Sequence, residues 1–295
     1  MPMLSPVNEG ARRMSATEII PAILPLEDGF TDVLGKARKG LKITVEELAE
    51  RTGLSVGQVQ NAFNGDIESE TLEKLSFALN LYGPSLVAMA RNQWQPKPIP
   101  QLTGLAQFTT WYGDMTVNAY LVWDPKTGEA ASFDTGSSCQ AMLDFLAEKK
   151  LTLKKIFITH THMDHLADLD RLSAENEKAH CYGSAAENPL GLKPLVHGDG
   201  LFVGNLKIRV LGTSGHTPGG LSYWIEGLEK PLVVVGDALF ASSMGGAPYA
   251  YQEARTNNLN RLLGLSDETI ICPGHGPMTT VAEEKQHNPF FPEFK

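Results

Sequence analysis

Residues Ile158–His165 read Ile-Thr-His-Thr-His-Met-Asp-His and follow directly on the apolar run Ile156-Phe157. His160, His162, Asp164 and His165 fall within six positions at the end of a strand-like segment. Imidazole and carboxylate side chains at this density suit zinc and neighbouring first-row metals. A strand supplies a rigid base, and the loop beyond it can turn several ligands toward one point.

Three downstream segments repeat the pattern of strand, turn and one candidate ligand. Gly212-Thr213-Ser214-Gly215-His216-Thr217-Pro218-Gly219-Gly220 sets His216 in a Gly-rich turn. Val233-Val234-Val235-Gly236-Asp237 ends a β-branched run on Asp237, and Ile270-Ile271-Cys272-Pro273-Gly274-His275-Gly276 ends another on His275. Glycine at such turns lets the backbone come close to a bound ion. Singly each is weak. Together with the first cluster they give seven candidate ligands, enough for a dinuclear site.

The segments His160-Thr161-His162-Met163-Asp164-His165, Ser214-Gly215-His216-Thr217-Pro218-Gly219, Gly236-Asp237-Ala238-Leu239-Phe240 and Pro273-Gly274-His275-Gly276-Pro277, in this order, resemble the metallo-β-lactamase superfamily. Within it the chain is most similar to glyoxalase II-like hydrolases, over about Gln101 to Phe291, including the tail Glu283–Phe290. The resemblance implies an α/β fold, the αββα sandwich. It also implies that His160, His162 and His216 bind one metal, that Asp164, His165 and His275 bind a second, and that Asp237 bridges them. The implied cofactors are two divalent ions, zinc first, with iron or manganese as alternatives. The implied chemistry is attack of a metal-activated hydroxide on the carbonyl of a thioester or related small ester, with Asp164 and Asp237 as the catalytic carboxylates. Lactone hydrolysis and a mononuclear iron persulfide dioxygenase, using His160, His216 and Asp237, are the alternatives within the family.

Two departures turn the substrate expectation away from glutathione. Glyoxalase II proper holds it through a helical C-terminal extension, whereas this sequence reaches Lys295 soon after its last motif. The stretch Phe240-Ala241-Ser242-Ser243-Met244-Gly245-Gly246 also lacks the arginine common there. Tyr249 and Tyr251, on the segment after Asp237, and Met244 are the candidate pocket residues.

Ahead of this region, residues 30–92 read as five helices, with an arm over 1–29 and a Pro-rich connector over 93–100 before the hydrolase region 101–295. Thr44-Val45-Glu46-Glu47 and Ser55-Val56-Gly57-Gln58 are capping boxes on either side of Gly53. Helix, Gly-containing turn, helix is a helix-turn-helix layout, and Val45–Ser55 resembles the phage-repressor-type family. That resemblance implies a reading helix over Val56–Asn64, with Gln58, Gln60, Asn61 and Asn64 facing outward, and amide side chains can pair with adenine.

Charge weighs against DNA as a partner. Residues 1–98 carry ten Lys/Arg against twelve Asp/Glu, and the reading helix carries no cation. Phosphate neutralisation supplies much of the affinity for DNA, and only Lys36, Arg38, Lys39 and Lys42 offer a local patch. Packing, self-association or covering of the active site is therefore the favoured reading over a DNA-binding regulator that senses a metabolite.

With 295 residues, 42% of them hydrophobic, the chain has enough material for a large core and a second unit. No apolar run reaches membrane-spanning length, and the opening Met1-Pro2-Met3-Leu4-Ser5-Pro6 lacks the pattern of a secretory signal. Three cysteines without a pairing pattern suggest a reducing compartment, so a cytoplasmic location is expected. Small molecules are the expected partners.

Overall fold

The computed structural model describes residues 24–188 and 191–295. Residues 1–23 of the expected arm lie outside the described residues. The chain continues into α1 (Phe30–Leu41), α2 (Val45–Thr52), α3 (Val56–Phe63), α4 (Ser69–Ala78) and α5 (Gly83–Ala90). Both capping boxes form. Thr44 Oγ1 accepts from Glu47 N at 3.1 Å while Thr44 N donates to Glu47 Oε2 at 2.7 Å. Ser55 and Gln58 do the same at 3.2 and 3.0 Å. Between them Gly53 takes φ +68°, a left-handed turn that a side chain would strain.

The rest is a sandwich of two six-stranded sheets. The first has the spatial order β1 (Leu105–Tyr112), β2 (Met115–Trp123), β3 (Glu129–Phe133), β4 (Thr152–Phe157), β5 (His180–Ser184), β6 (Lys193–Leu195). Its first two pairings are antiparallel and the remaining three parallel. The parallel connections run through α6 (Gln140–Lys149) and the short helices α7 (Met163–Leu166) and α8 (Leu169–Ala174). The second sheet contains β7 (Gly200–Val203), β8 (Leu206–Gly212), β9 (Leu221–Glu226) and β10 (Leu232–Gly236). After the hairpin of β11 (Leu239–Phe240) and β12 (Ser243–Met244) it is completed by β13 (Ile270–Pro273) and β14 (Thr279–Thr280). α9 (Tyr251–Asn257) leads into a π-helical turn, Asn258–Leu262, and α10 (Val281–His287) follows β14.

Strand periodicity assigns every side chain to a layer. On β2, Tyr120 and Val122 point between the sheets, where they join Phe133, Phe157, Val210, Tyr223 and Cys272. Ala119 and Leu121 point the other way, against α6 and α8 with Leu146 and Leu172. On β10, Val234 faces the inner layer and Val233 and Val235 the outer one. Cys272 is thus a buried packing residue, its thiol pushed up by burial.

The outer layer of the second sheet is continuous with the helical region. Val33, Leu34, Leu48, Leu72 and Leu86 share one apolar cluster with Val235, Leu239, Met244, Tyr251, Leu262 and Phe290. The connector lies along α10, with Trp94 stacked on His287 at 4.4 Å and Lys97 N donating to Glu283. Among the described residues no helix is long and apolar enough to cross a membrane.

Several elements depart from the sequence expectation. The helix expected over 165–175 is two, broken where Asp168 accepts a hydrogen bond from Cys139 N at 2.8 Å. The helix expected over 257–265 begins at Tyr251 and widens into the π turn. Six short strands (β5, β6, β7, β11, β12 and β14) carry too little apolar alternation to be read from sequence.

Candidate metal centre

All seven candidate ligands stand at the ends of the sandwich strands or in the turns beyond them. His160 and His162 follow β4, His216 follows β8, Asp237 follows β10 and His275 follows β13. Asp164 and His165 are delivered by α7. They form two groups, His160, His162, His216 and Asp237 in one, and Asp164, His165 and His275 in the other. Within each group the ligand atoms lie within 4.8 Å of one another.

The ring orientations are set by hydrogen bonds made on the far side of each imidazole. His165 Nδ1 donates to Asp134 Oδ2 at 2.8 Å, His216 Nδ1 to Gly246 O at 2.9 Å, and His275 Nδ1 to Thr116 O at 2.6 Å. His160 Nδ1 meets Thr159 Oγ1 at 3.1 Å, and that hydroxyl donates to Asp134 Oδ2 at 2.8 Å. With the proton on Nδ1, each of these four rings turns the Nε2 lone pair into the site. His162 is the exception and presents Nδ1. That atom lies 3.0 Å from His160 Nε2 and 3.1 Å from His216 Nε2.

These distances fit a bound cation. Two nitrogens on a tetrahedral zinc at about 2.0–2.1 Å would stand about 3.3 Å apart. Asp237 faces both groups. Its Oδ2 is 3.8 and 3.4 Å from Nε2 of His160 and His216, and its Oδ1 is 3.2 Å from His165 Nε2. In the second group His275 Nε2 lies 3.3 Å from Asp164 Oδ2. His165 Nε2, His275 Nε2 and Asp237 Oδ1 are buried without a hydrogen-bond partner, an arrangement costly in a protein interior unless an ion takes those lone pairs.

Charge is distributed unevenly across the centre. Burial, reinforced by the neighbouring His165, holds His160 well below the usual imidazole value, and burial likewise lowers His216. Both are therefore neutral donors. Burial also disfavours the charged form of His165, but Asp237 and Asp134 overcome it and raise the ring to about 10. Burial would raise Asp237, yet His165 and the surrounding imidazoles hold its carboxyl well below the normal range. The carboxylates around His165 thus favour positive charge at that ring, whether it is a proton on Nε2 or a metal cation in its place.

The loop bearing His275 is fixed from the first sheet. Asn118 Nδ2 donates to Pro273 O at 3.1 Å and Gly276 O at 2.9 Å, and Tyr120 Oη to Pro273 O at 2.8 Å. Asp134 was not singled out in sequence, although Phe133-Asp134 repeats the strand-then-acid pattern of the Asp237 segment. Glu27, ahead of α1, also approaches this loop, since a Cβ on Gly276 would lie 3.1 Å from Glu27 N.

The three pocket candidates are not brought together at the centre. Met244 is fully buried in the apolar cluster beneath α1. Tyr251 opens α9 with its ring laid against Gly40 and 6.3 Å from Phe290, so it packs as a core residue. Tyr249 is 97% exposed. The sequence did not show that the helix begins at Tyr251 and packs that ring into the core. On α3, Gln58, Gln60, Asn61 and Asn64 are all exposed, as expected of an outward face. The expected basic patch, however, is partly used internally. Lys36 bonds Asp28 and donates to Met244 O at 3.0 Å, and Arg38 donates to Ile43 O and lies over Phe63.

Two clusters of imidazole and carboxylate at one edge of a ββ sandwich form a candidate metal centre. A profile of the Metallo-beta-lactamase superfamily matches residues 112–275, and this chain belongs to that superfamily. A Helix-turn-helix profile matches residues 34–85. The probable metallo-hydrolase YqgX of Bacillus subtilis is 32% identical over 206 residues, 62% of this chain and 95% of its own. The hydroxyacylglutathione hydrolase GloC of Haemophilus influenzae is 30% identical over 197 residues, 59% of this chain and 92% of its own. Among solved structures, the BLEG-1 B3 metallo-beta-lactamase superposes with a TM-score of 0.56 at 27% identity, covering 64% of this chain and 99% of that one.

Proposed function

We propose that this chain is a two-metal hydrolase of thioesters or related small carboxylic esters. The observation that carries the reading is the convergence of seven ligand atoms in two adjacent groups that share Asp237. The similarity to a hydroxyacylglutathione hydrolase supports the thioester class. His160, His162 and His216 would hold one ion, Asp164, His165 and His275 the other, with Asp237 between them. Zinc suits this donor set best. Ions held there supply polarisation of a carbonyl oxygen and acidification of water. The chain's own contribution is to fix donor direction through Asp134, Thr159, Gly246 and Thr116, and to keep Asp237 and Asp164 ionised. In this reading Asp164 and Asp237 are the catalytic carboxylates and would take up the proton released from water.

The test is metal content together with turnover. Purified protein should hold two divalent ions and hydrolyse acyl thioesters, with glutathione and non-glutathione thioesters and lactones as parallel substrates. Asp237→Ala should weaken binding of both ions and His162→Ala that of the first, and each should lose turnover. Full activity in metal-free protein would sink the reading, and turnover of lactones alone would move the substrate class.

The helix-turn-helix match and the exposed amides of α3 favour a second reading, in which the helical region also contacts nucleic acid. A gel shift at moderate salt with Gln58→Ala/Asn61→Ala as the control decides it. Binding that ignores these side chains would dismiss sequence reading by α3.

A further inference from the structure

Glu187 lies on the loop after β5 and belongs to neither ligand group. Its carboxylate nevertheless joins the two loops that carry the first group. Oε1 accepts from the hydroxyl of Thr161 and from Thr161 N at 3.4 Å, between His160 and His162. Oε2 accepts from Gly219 N at 3.1 Å, three residues beyond His216.

The same two loops are tied at their base by Leu221 N donating to Thr159 O at 2.9 Å. Among the described residues no further backbone–backbone bond joins the two loops at their rims, where His162 is exposed. The His216 loop is internally stiff, since Gly215 N bonds Thr217 O and Thr213 N bonds Gly220 O. A tie at Gly219 therefore moves His216 with it. The absence of a side chain at Gly219 is what allows the approach, because a Cβ there would fall 2.4 Å from Glu187 Cβ and 3.0 Å from Glu187 N.

We infer that Glu187 is a positioning residue for the first metal position, clamping the His160–His162 loop to the His216 loop and so setting the separation of their three nitrogen donors. The inference rests on the two-metal reading above. All the protein groups that face the carboxylate in these bonds are donors, so charge and acceptor capacity matter rather than bulk. Burial would raise the carboxyl, but the hydrogen bonds from Thr161 and Gly219 outweigh it and hold Glu187 ionised. Removing a direct hydrogen-bond partner of a metal-ligating histidine typically weakens the metal by about 10–100-fold, and Glu187, which acts on the histidines through their loops, is expected to reach that range at most.

The experiment titrates zinc against a chromophoric chelator in the full chain, reads the cobalt(II) absorption spectrum, and checks folding by circular dichroism. In Glu187→Ala one of the two ions should bind more weakly, by at most about 10–100-fold, while the other is retained. The cobalt bands of the weakened position should change. Glu187→Gln should rescue in part, its oxygen keeping Gly219 N while its N–H₂ meets the Thr161 hydroxyl, which can also accept. Glu187→Met, of similar length but without an acceptor oxygen, should not rescue, whereas a space-filling role would be rescued by it. Gly219→Ala should reproduce the loss from the opposite side. Should Glu187→Ala fail to fold, Thr161→Val removes one arm alone and should give a smaller loss at the same position. Wild-type protein that binds two ions, with all these variants binding both equally well, overturns the clamp. Wild-type protein that binds fewer than two overturns the two-metal reading, and the clamp with it.

Discussion

Asp134→Asn should empty both metal positions while changing the shape of one buried side chain very little. Asp134 is 1% exposed and accepts three hydrogen bonds at 2.8 Å: Thr159 N to Oδ1, and Thr159 Oγ1 and His165 Nδ1 to Oδ2. An asparagine has one acceptor oxygen and one N–H₂, so one side of this arrangement must meet a donor. If the oxygen faces Thr159 N, the amide N–H₂ faces His165 Nδ1 and drives that proton to Nε2, where the site needs a lone pair. The Thr159 hydroxyl then turns its own proton toward His160 Nδ1, and the same reversal follows there. If the amide is flipped, Thr159 N is left buried against a second donor, at a cost of about 1–3 kcal/mol of stability. The first orientation costs about 10–100-fold in metal affinity at each position, roughly 1.4–2.8 kcal/mol per ion. The assay is zinc content after dialysis against a buffered chelator, with melting of the chelated protein measured alongside. Asp134→Asn that retains both ions as wild type does, with an unchanged melt, would refute the tautomer reasoning.

Two further outcomes bear on stability. Glu284 is fully buried and held up at about 7 by burial, which the bonds from Asn288, Thr279 and Ser242 only partly offset. A folded-state value above the unfolded 4.5 means that the folded protein binds the proton more tightly. Stability from this group is therefore full below about pH 4.5, falls as pH rises to about 7, and is flat above; the fall is at most about 3 kcal/mol. Glu284→Gln places an N–H₂ toward Thr279 Oγ1 and keeps an oxygen for the other two donors, mimicking the protonated acid. Urea midpoints across pH 5–8 should then lose that slope, and an unchanged slope would assign it to other groups. Gly40→Ala would ordinarily favour a helix by about 1 kcal/mol. Here its Cβ would stand 2.3–2.6 Å from the Tyr251 side chain, so a net loss of about 1–3 kcal/mol is expected. Adding Tyr251→Ala should remove that penalty in a double-mutant cycle, and additive losses would deny the contact.

What could be read from the sequence was what the chain encodes locally. The ligand motifs announce themselves because strand, turn and ligand are contiguous, and the helices of residues 30–90 because caps and apolar spacing lie within a few positions. The short edge strands could not be read, since their place in the sheet depends on a neighbour rather than on their own composition. Asp134 went unnoticed because one acid after one strand is common; only the convergence of Thr159 and His165 on it gives it a role. Glu187 has no local signature at all, as its two partners are 26 and 32 residues away. Tyr251 shows the converse, since its place in the core comes from packing against α1 and Phe290 that its own neighbours in sequence do not encode.

The helical region illustrates how tertiary packing alters the meaning of a motif. By sequence its cations Lys36, Arg38, Lys39 and Lys42 form a patch beside the presumed reading helix. In the fold Lys36 is paired with Asp28, donates to Met244 O and lies over Phe240, which in turn meets the His275 ring edge-on at 5.8 Å. Arg38 is engaged with Ile43 O and Phe63. Lys39 and Lys42 remain exposed on this patch, beside an α3 that carries amides alone. Counterion release on phosphate contact requires a free cation, and of the four Lys36 is committed to joining α1 to the hairpin after Asp237 and Arg38 to contacts within the helical region. The module is thus chemically better equipped to hold the edge of the metal domain than to neutralise a phosphate backbone. Its amide face is the part of a helix-turn-helix that the fold leaves unoccupied.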